Sequence, residues 1–319
     1  MAVEDDLRNF WNEYKNERFL FCTHKHADLD SVSSAYVLSK LFPNSNLAIA
    51  DDLDNNSRNL LEKFNVSYYF LSDVLDKYDK IIAVDTRSKN LFPYEKIKEA
   101  GKEIFAAIDH HQEGEDTFVP KYAFVDENAK ATAEIVAKAF PFVKGELAIF
   151  LACGILTDTV RFLSATEKTI ETFMMMYKNS SCSYEELLRL AFPKRPFDEK
   201  IAILKGFQRV KIVNYKDYVI ALSYVGSNNG ETASFLAAVA DISFVAQEDK
   251  ENKNTIRVSA RVNMHLDIEI NKVMEEVGKR FNGTGGGHKK AAGCVAYGTI
   301  DDVLNYCEEK IKEKLDGIE

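Results

Sequence analysis

The sequence predicts an α/β protein of two domains: an N-terminal doubly wound parallel sheet and a smaller C-terminal α/β domain. Three observations carry this reading. Through the first half, short apolar runs alternate with helix-like stretches, the pattern of parallel strands joined by crossover helices. At 319 residues the chain is too long for one ordinary core. And "AFPKRPFDEK" (191–200) interrupts the pattern with two prolines and mixed charge, as an inter-domain connection does.

Taken in order, the strands are expected at 18–24, 46–51, 66–71, 80–86 and 103–111. Amphipathic or capped helices fall between them, as at 31–42 and 55–65. A more helical region follows at 131–141, 145–157 and 167–178. The first domain is therefore placed at 1–190, a linker at 191–205 and the second domain at 206–319, with strands near 208–214, 218–224 and 255–262.

Composition excludes several classes. With 46% hydrophobic and 29% charged residues, the chain has the make-up of a soluble globular protein. Its longest strongly apolar run, 149–156, is far too short for a bilayer span, so no membrane partner is expected. A net charge of −9 argues against a coat on long nucleic acid. The opening "MAVEDDLRNFWNEYKNE" is acidic and polar, unlike a secretory signal. The five cysteines are scattered and none forms C-x-x-C, so reduced thiols in a cytoplasmic protein are expected.

The unusual residues collect at strand ends. In open parallel sheets, ligands sit beyond the carboxyl ends of the strands. His24 ends the first expected strand, and Asp28 and Asp30 lie in the loop after it; Asp85 ends "IIAVD"; Asp109, His110 and His111 end "IFAAIDHH". Asp158, in "GILTDT", closes an expected helix. Each residue alone has a plain alternative: Asp30 as a helix cap, Asp85 as a turn residue, the paired histidines as one buried and one solvated. Together they are hard to dismiss, since five of the six histidines fall in these clusters or in the glycine-rich segment 281–293. Mixed carboxylates and imidazoles suit Mn²⁺, Fe²⁺ or Zn²⁺ better than an all-oxygen Mg²⁺ site. They are too many for one ion, and paired ions are a recurring device for phosphate-ester hydrolysis. In "FNGTGGGHKKAAG", glycines would let backbone N–H groups approach an anion, with a helix N-terminus beginning near His288, Lys289 and Lys290; the alternative is a flexible turn. Alternation in "IRVSARVN" puts Arg257, Ser259 and Arg261 on one face, either solvated or reaching for phosphate.

These residues together resemble the DHH phosphoesterase superfamily. Its H-x-x-x-D-x-D motif is matched by His24, Asp28 and Asp30, its lone strand-end Asp by Asp85, and its D-H-H by Asp109, His110 and His111. Its "G-I-x-x-D-T" Asp is matched by Asp158. Gly285, Gly286, Gly287 and His288 look like the G-G-G-H motif of the DHH-associated C-terminal domain, and Ser259 and Arg261 like its V-S-x-R strand. The sequence departs from the family at Leu29, where a small residue is common, and at Val160, where glycine is frequent.

The resemblance implies two divalent ions, with Mn²⁺ expected and Mg²⁺ or Co²⁺ as substitutes. His24, Asp28 and Asp85 would hold one; Asp30, Asp85, His110 and Asp158 the other, with Asp85 bridging. His111 would face the substrate and Asp109 would orient a ligand histidine; Asp85, Asp109 and His111 form the catalytic set. Ser259, Arg261, Gly285, Gly286, Gly287 and His288 would bind substrate, clamped in a cleft between the domains. The expected activity is Mn-dependent hydrolysis of short single-stranded oligonucleotides or dinucleotides to mononucleotides, as in the oligoribonuclease/3′-phosphoadenosine-5′-phosphate phosphatase group, with that nucleotide a further candidate. Alternatives are a cyclic dinucleotide phosphodiesterase, a RecJ-like single-strand exonuclease, a pyrophosphatase and a non-catalytic nucleic-acid-binding scaffold. Oligomeric state stays open, a homodimer being compatible. His26 lies outside the motif.

Overall fold

A computed structural model describes residues 2–249, 252 and 254–317. The chain divides into two units, Met1–Lys194 and Arg195–Glu319.

The first unit runs α1 (Val3–Tyr14), β1 (Leu20–Cys22), α2 (Leu29–Leu41), β2 (Asn46–Ile49), α3 (Asn55–Lys63), β3 (Tyr69–Phe70), α4 (Leu71–Val74), β4 (Lys80–Val84), α5 (Tyr94–Glu99), β5 (Glu103–Asp109), β6 (Tyr122–Val125), α6 (Thr132–Ala139), α7 (Glu146–Asp158), α8 (Glu167–Ser180) and α9 (Tyr184–Ala191). Its strands lie in the order β3-β2-β1-β4-β5-β6, and every pairing is parallel. The apolar run at 19–22 shows why. Phe19 and Phe21 pack into one core, Leu20 and Cys22 into another, so a continuous hydrophobic segment is a strand covered on both faces. The strand order reverses between β1 and β4, the position where open sheets of this kind form a crevice.

The second unit runs α10 (Phe197–Gln208), β7 (Lys211–Tyr215), β8 (Tyr218–Val225), α11 (Asn229–Ala237), β9 (Ile242–Glu248), β10 (Thr255–Val262), α12 (Ile270–Arg280), β11 (Thr284–Gly287), β12 (Ala291–Tyr297) and α13 (Ile300–Asp316). Its sheet, β11-β12-β10-β9-β8-β7, is antiparallel except for the β8–β9 pair.

Two expectations change. The linker placed at 191–205 is mostly α10, a helix of the second unit; its prolines stand before the first turn, where a missing N–H costs nothing. The glycine-rich segment opens no helix. It forms the β11–β12 hairpin, with His288, Lys289 and Lys290 in the connection. Among the described residues no helix is long and apolar enough to cross a membrane, and all five cysteines are free.

Candidate metal centre

Three parallel strands and two helices deliver the motif residues to one place. His24 follows β1. Its Nδ1 lies 2.7 Å from the Lys25 carbonyl, which only accepts, so Nδ1 carries the proton. In the neutral ring Nε2 is then bare. It stands 3.7 Å from Asp28 and 3.6 Å from Asp85. Asp28, not Asp30, caps α2, accepting from the Ser31 N–H. Asp30 lies in the first turn, 1% exposed, and accepts from the Thr132 and Ala133 N–H groups at 2.6 and 2.9 Å. Those N–H groups begin α6, whose N-cap, Ala131, has no side chain able to cap it. Gly154 of α7 makes the fit possible: a Cβ there would lie 3.0 Å from Asp30 Oδ1 and 2.9 Å from Ala133 Cβ.

Asp85, just beyond β4, is buried and has a left-handed backbone, φ +65°. Aspartate tolerates that region better than most residues. Its Oδ1 accepts from the Thr132 hydroxyl at 2.7 Å. His110 Nε2 lies 3.2 Å from Asp158 and 3.5 Å from Asp85, yet it is buried without a hydrogen bond. Asp158 is the last residue of α7. Asp109 departs from its expected role. Its Oδ1 holds His111 through Nδ1 at 2.8 Å, and its Oδ2 accepts from Arg87 Nε at 3.4 Å, so the histidine it holds is His111 and not His110.

Atoms that could ligate a metal ion form three groups, each within 4.8 Å: His24–Asp28–Asp85, Asp30–His110–Asp158 and Asp85–His110–His111. The electrostatics describe a centre short of positive charge. Burial, then repulsion from Asp85 and Asp158, holds Asp30 well above the usual carboxylate range. Burial, then Asp85 and Asp28, pushes Asp158 up to about 8. Burial works to lower His24, but Asp28 and Asp85 outweigh it and raise the imidazole to about 11. His111 rises to about 9, chiefly through its bond to Asp109. Crowded carboxylates around an unpartnered imidazole nitrogen fit divalent cations. His26 is exposed at φ +54°, its N–H bonded to Asp51, outside these groups.

In the second unit, Ser259, Gly285 and Gly286 line a cleft of about 410 Å³ with Asn229, Arg257 and Gly293. Gly285 has a packing reason, since a Cβ would stand 1.9 Å from the Met274 carbonyl of α12; Gly286 opens to free space. Gly287 needs its φ of +134°. Arg257 pairs with Asp249 at 3.0 Å. Arg261 has no ion pair among the described residues; it bonds Ser234 Oγ and the Ala260 carbonyl, and burial lowers its pKa. Its Nη2 and Ser259 Oγ both lie 3.7 Å from where a Cβ on Gly230 would stand, beside the α11 N-terminus. His288 closes the hairpin, its N–H bonded to the Ala291 carbonyl. Sequence reasoning missed Thr132, Gly154 and Arg87. A helix start preceded by a non-capping alanine was the available signal for Thr132.

The family model for the DHH family, N-terminal domain, matches residues 18–155, and that for the DHHA1 domain matches residues 210–313. An uncharacterised protein of Methanocaldococcus jannaschii is 31% identical over 94% of this chain and 96% of its own length. The cyclic-di-AMP phosphodiesterase GdpP of Bacillus subtilis is 23% identical over 92% of this chain, which spans 47% of that protein. The fold is shared with an exopolyphosphatase-related protein from Bacteroides fragilis (TM-score 0.78, 16% identity, 98% of this chain and 96% of that one). It is also shared with the exonuclease RecJ bound to manganese (TM-score 0.50, 13% identity, 98% and 94%). The chain belongs to the DHH family of phosphoesterases, with a DHHA1 domain in its second unit.

Proposed function

We propose that the protein hydrolyses short single-stranded oligonucleotides or dinucleotides to mononucleotides with two divalent ions, Mn²⁺ foremost. The carrying observation is a chain of three candidate groups: Asp85 joins His24 and Asp28 to His110 and His111, and His110, its Nε2 buried and unbonded, also groups with Asp30 and Asp158. His24, Asp28 and Asp85 hold one ion; Asp30, Asp85, His110 and Asp158 hold the other. Bound there, the ions would supply Lewis acidity toward a phosphoryl oxygen and a readily deprotonated water. The manganese in the RecJ structure favours the same choice of ion.

His111 is more than half exposed, and its bond to Asp109 raises it to about 9. It faces the leaving oxygen and stabilises or protonates it. Arg87 takes the second oxygen of Asp109 and its Nη2 donates to the His111 carbonyl, so one guanidinium braces both the carboxylate and the backbone of His111. In the second unit, Arg261, Ser259, His288 and the Gly285–Gly287 backbone grip a phosphate that is not cleaved. An arginine without an ion pair among the described residues suits that role. The free cysteines suit a reducing compartment such as the cytoplasm.

The GdpP likeness favours a second reading, in which a cyclic dinucleotide is the substrate. A panel with Mn²⁺ separates them: linear pApA, labelled RNA and DNA 5-mers, cyclic di-AMP, 3′-phosphoadenosine 5′-phosphate and inorganic pyrophosphate. Mononucleotide release from pApA and the 5-mers is expected. Turnover of pyrophosphate alone overturns the proposal.

A further inference from the structure

We infer that Thr132 is a positioning residue that aims Asp30 and Asp85 together and so sets how tightly the centre would hold its ions; the inference rests on the two-ion reading above. One residue reaches both carboxylates by different atoms. Its backbone N–H donates to Asp30 Oδ2 at 2.6 Å, and its hydroxyl donates to Asp85 Oδ1 at 2.7 Å. Asp30 belongs to one candidate group and Asp85 to the other two. Thr132 is fully buried, and its hydroxyl does no capping for α6.

The Asp85 contact selects a geometry. Its Oδ1 faces His110 at 3.5 Å and its Oδ2 faces His24 at 3.6 Å. By holding Oδ1, the hydroxyl fixes the rotation of the carboxylate between the groups. The left-handed backbone at Asp85 fixes only where its side chain starts.

Thr132 is itself anchored away from the centre. Two residues on, Glu134 is 1% exposed and accepts from the Lys130 N–H at 3.1 Å, the Thr169 hydroxyl at 2.9 Å and Lys138. Thr169 belongs to the capping box that opens α8. The start of α6 is thus tied to a second helix, and Thr132 holds its place whether or not the carboxylates are occupied by metal. Outer partners of ligating groups typically change metal affinity or activity by about 10–100-fold when removed.

The test uses the full chain, stripped with chelator and titrated with Mn²⁺ by calorimetry, for wild type, Thr132→Val and Thr132→Ser. Valine keeps the shape and the N–H to Asp30 but loses the hydroxyl. Wild type should take up two ions. Thr132→Val should bind roughly 10–100-fold more weakly, with the melting curve of the stripped protein near wild type and turnover recovering as Mn²⁺ is raised. Thr132→Ser should restore affinity. Equal binding by wild type and Thr132→Val overturns the inference, as does a serine variant as weak as valine. If the valine variant does not fold, Thr132→Ala against Thr132→Ser decides by the same comparison. A wild type that takes up no Mn²⁺ overturns the two-ion reading itself, a separate outcome.

Discussion

Asp85→Asn should disarm both ions at once while leaving the fold intact. The carboxylate is 3% exposed, with its two oxygens turned to different ligand groups. Asparagine has the same shape, tolerates the left-handed backbone at this position, and still accepts from the Thr132 hydroxyl through its amide oxygen. What disappears is the negative charge. Breaking a buried charge pair costs about 3–5 kcal/mol. At about 1.4 kcal/mol per tenfold, each ion should bind roughly 10²- to 10⁴-fold more weakly. Calorimetric titration with Mn²⁺ and elemental analysis after desalting read the affinity and stoichiometry; far-UV circular dichroism checks the fold. Turnover of pApA should fall by at least 10²-fold, roughly the lower bound of the affinity loss. A folded Asp85→Asn protein that carries two ions, or turns over near the wild-type rate, refutes the bridging role. Alanine is the poorer probe, because it adds strain at φ +65° to the loss of charge.

Val160→Gly should stabilise the protein by roughly 0.5–1 kcal/mol in denaturant titration, because a β-branched residue at φ +49° gives up about 1–2 kcal/mol and glycine's extra chain entropy offsets part of the gain. Chelator-treated protein should lose stability from pH 6 to 8.5. Folded His24, His111 and Asp158, raised to about 11, 9 and 8, hold protons there that the unfolded chain has released. Mn²⁺ displaces the protons of the proposed ligands His24 and Asp158, while His111 keeps its own, so melting temperatures in saturating Mn²⁺ should fall less over the same range. Arg261→Ala and His288→Ala should cut kcat/KM for pApA by roughly ten- to a hundred-fold while barely touching bis-p-nitrophenyl phosphate, which has no second phosphate to grip. Equal losses on both substrates would show that neither residue binds the uncleaved phosphate.

Legibility in the sequence followed the strength of the local signal. Strands β1, β4 and β5 were readable because a parallel strand covered on both faces is a nearly unbroken apolar run, and their polar ends stood out against it. β6 was missed: it is a four-residue edge strand with one buried side chain. β9 was missed for the opposite reason, since Ile242–Ala246 is buried throughout and periodicity cannot separate such a strand from a buried helix. β12 carries Ala and Gly, poor strand formers held there by pairing with β10 and β11. At the centre, ligand types could be read from spacing, but their supports could not. Asp28 and Asp30 compete for the cap of α2, and a contact over a hundred residues away, from Thr132 and Ala133 to Asp30, decides between them. Asp109 precedes both histidines and adjoins His110 in sequence, and only the geometry assigns it to His111.

The most direct test of the central claim is anomalous scattering from a crystal grown or soaked in Mn²⁺. The account predicts two peaks about 3.5–4 Å apart, one against His24, Asp28 and Asp85 and the other against Asp30, Asp85, His110 and Asp158. A single peak, or manganese bound away from Asp85, contradicts it.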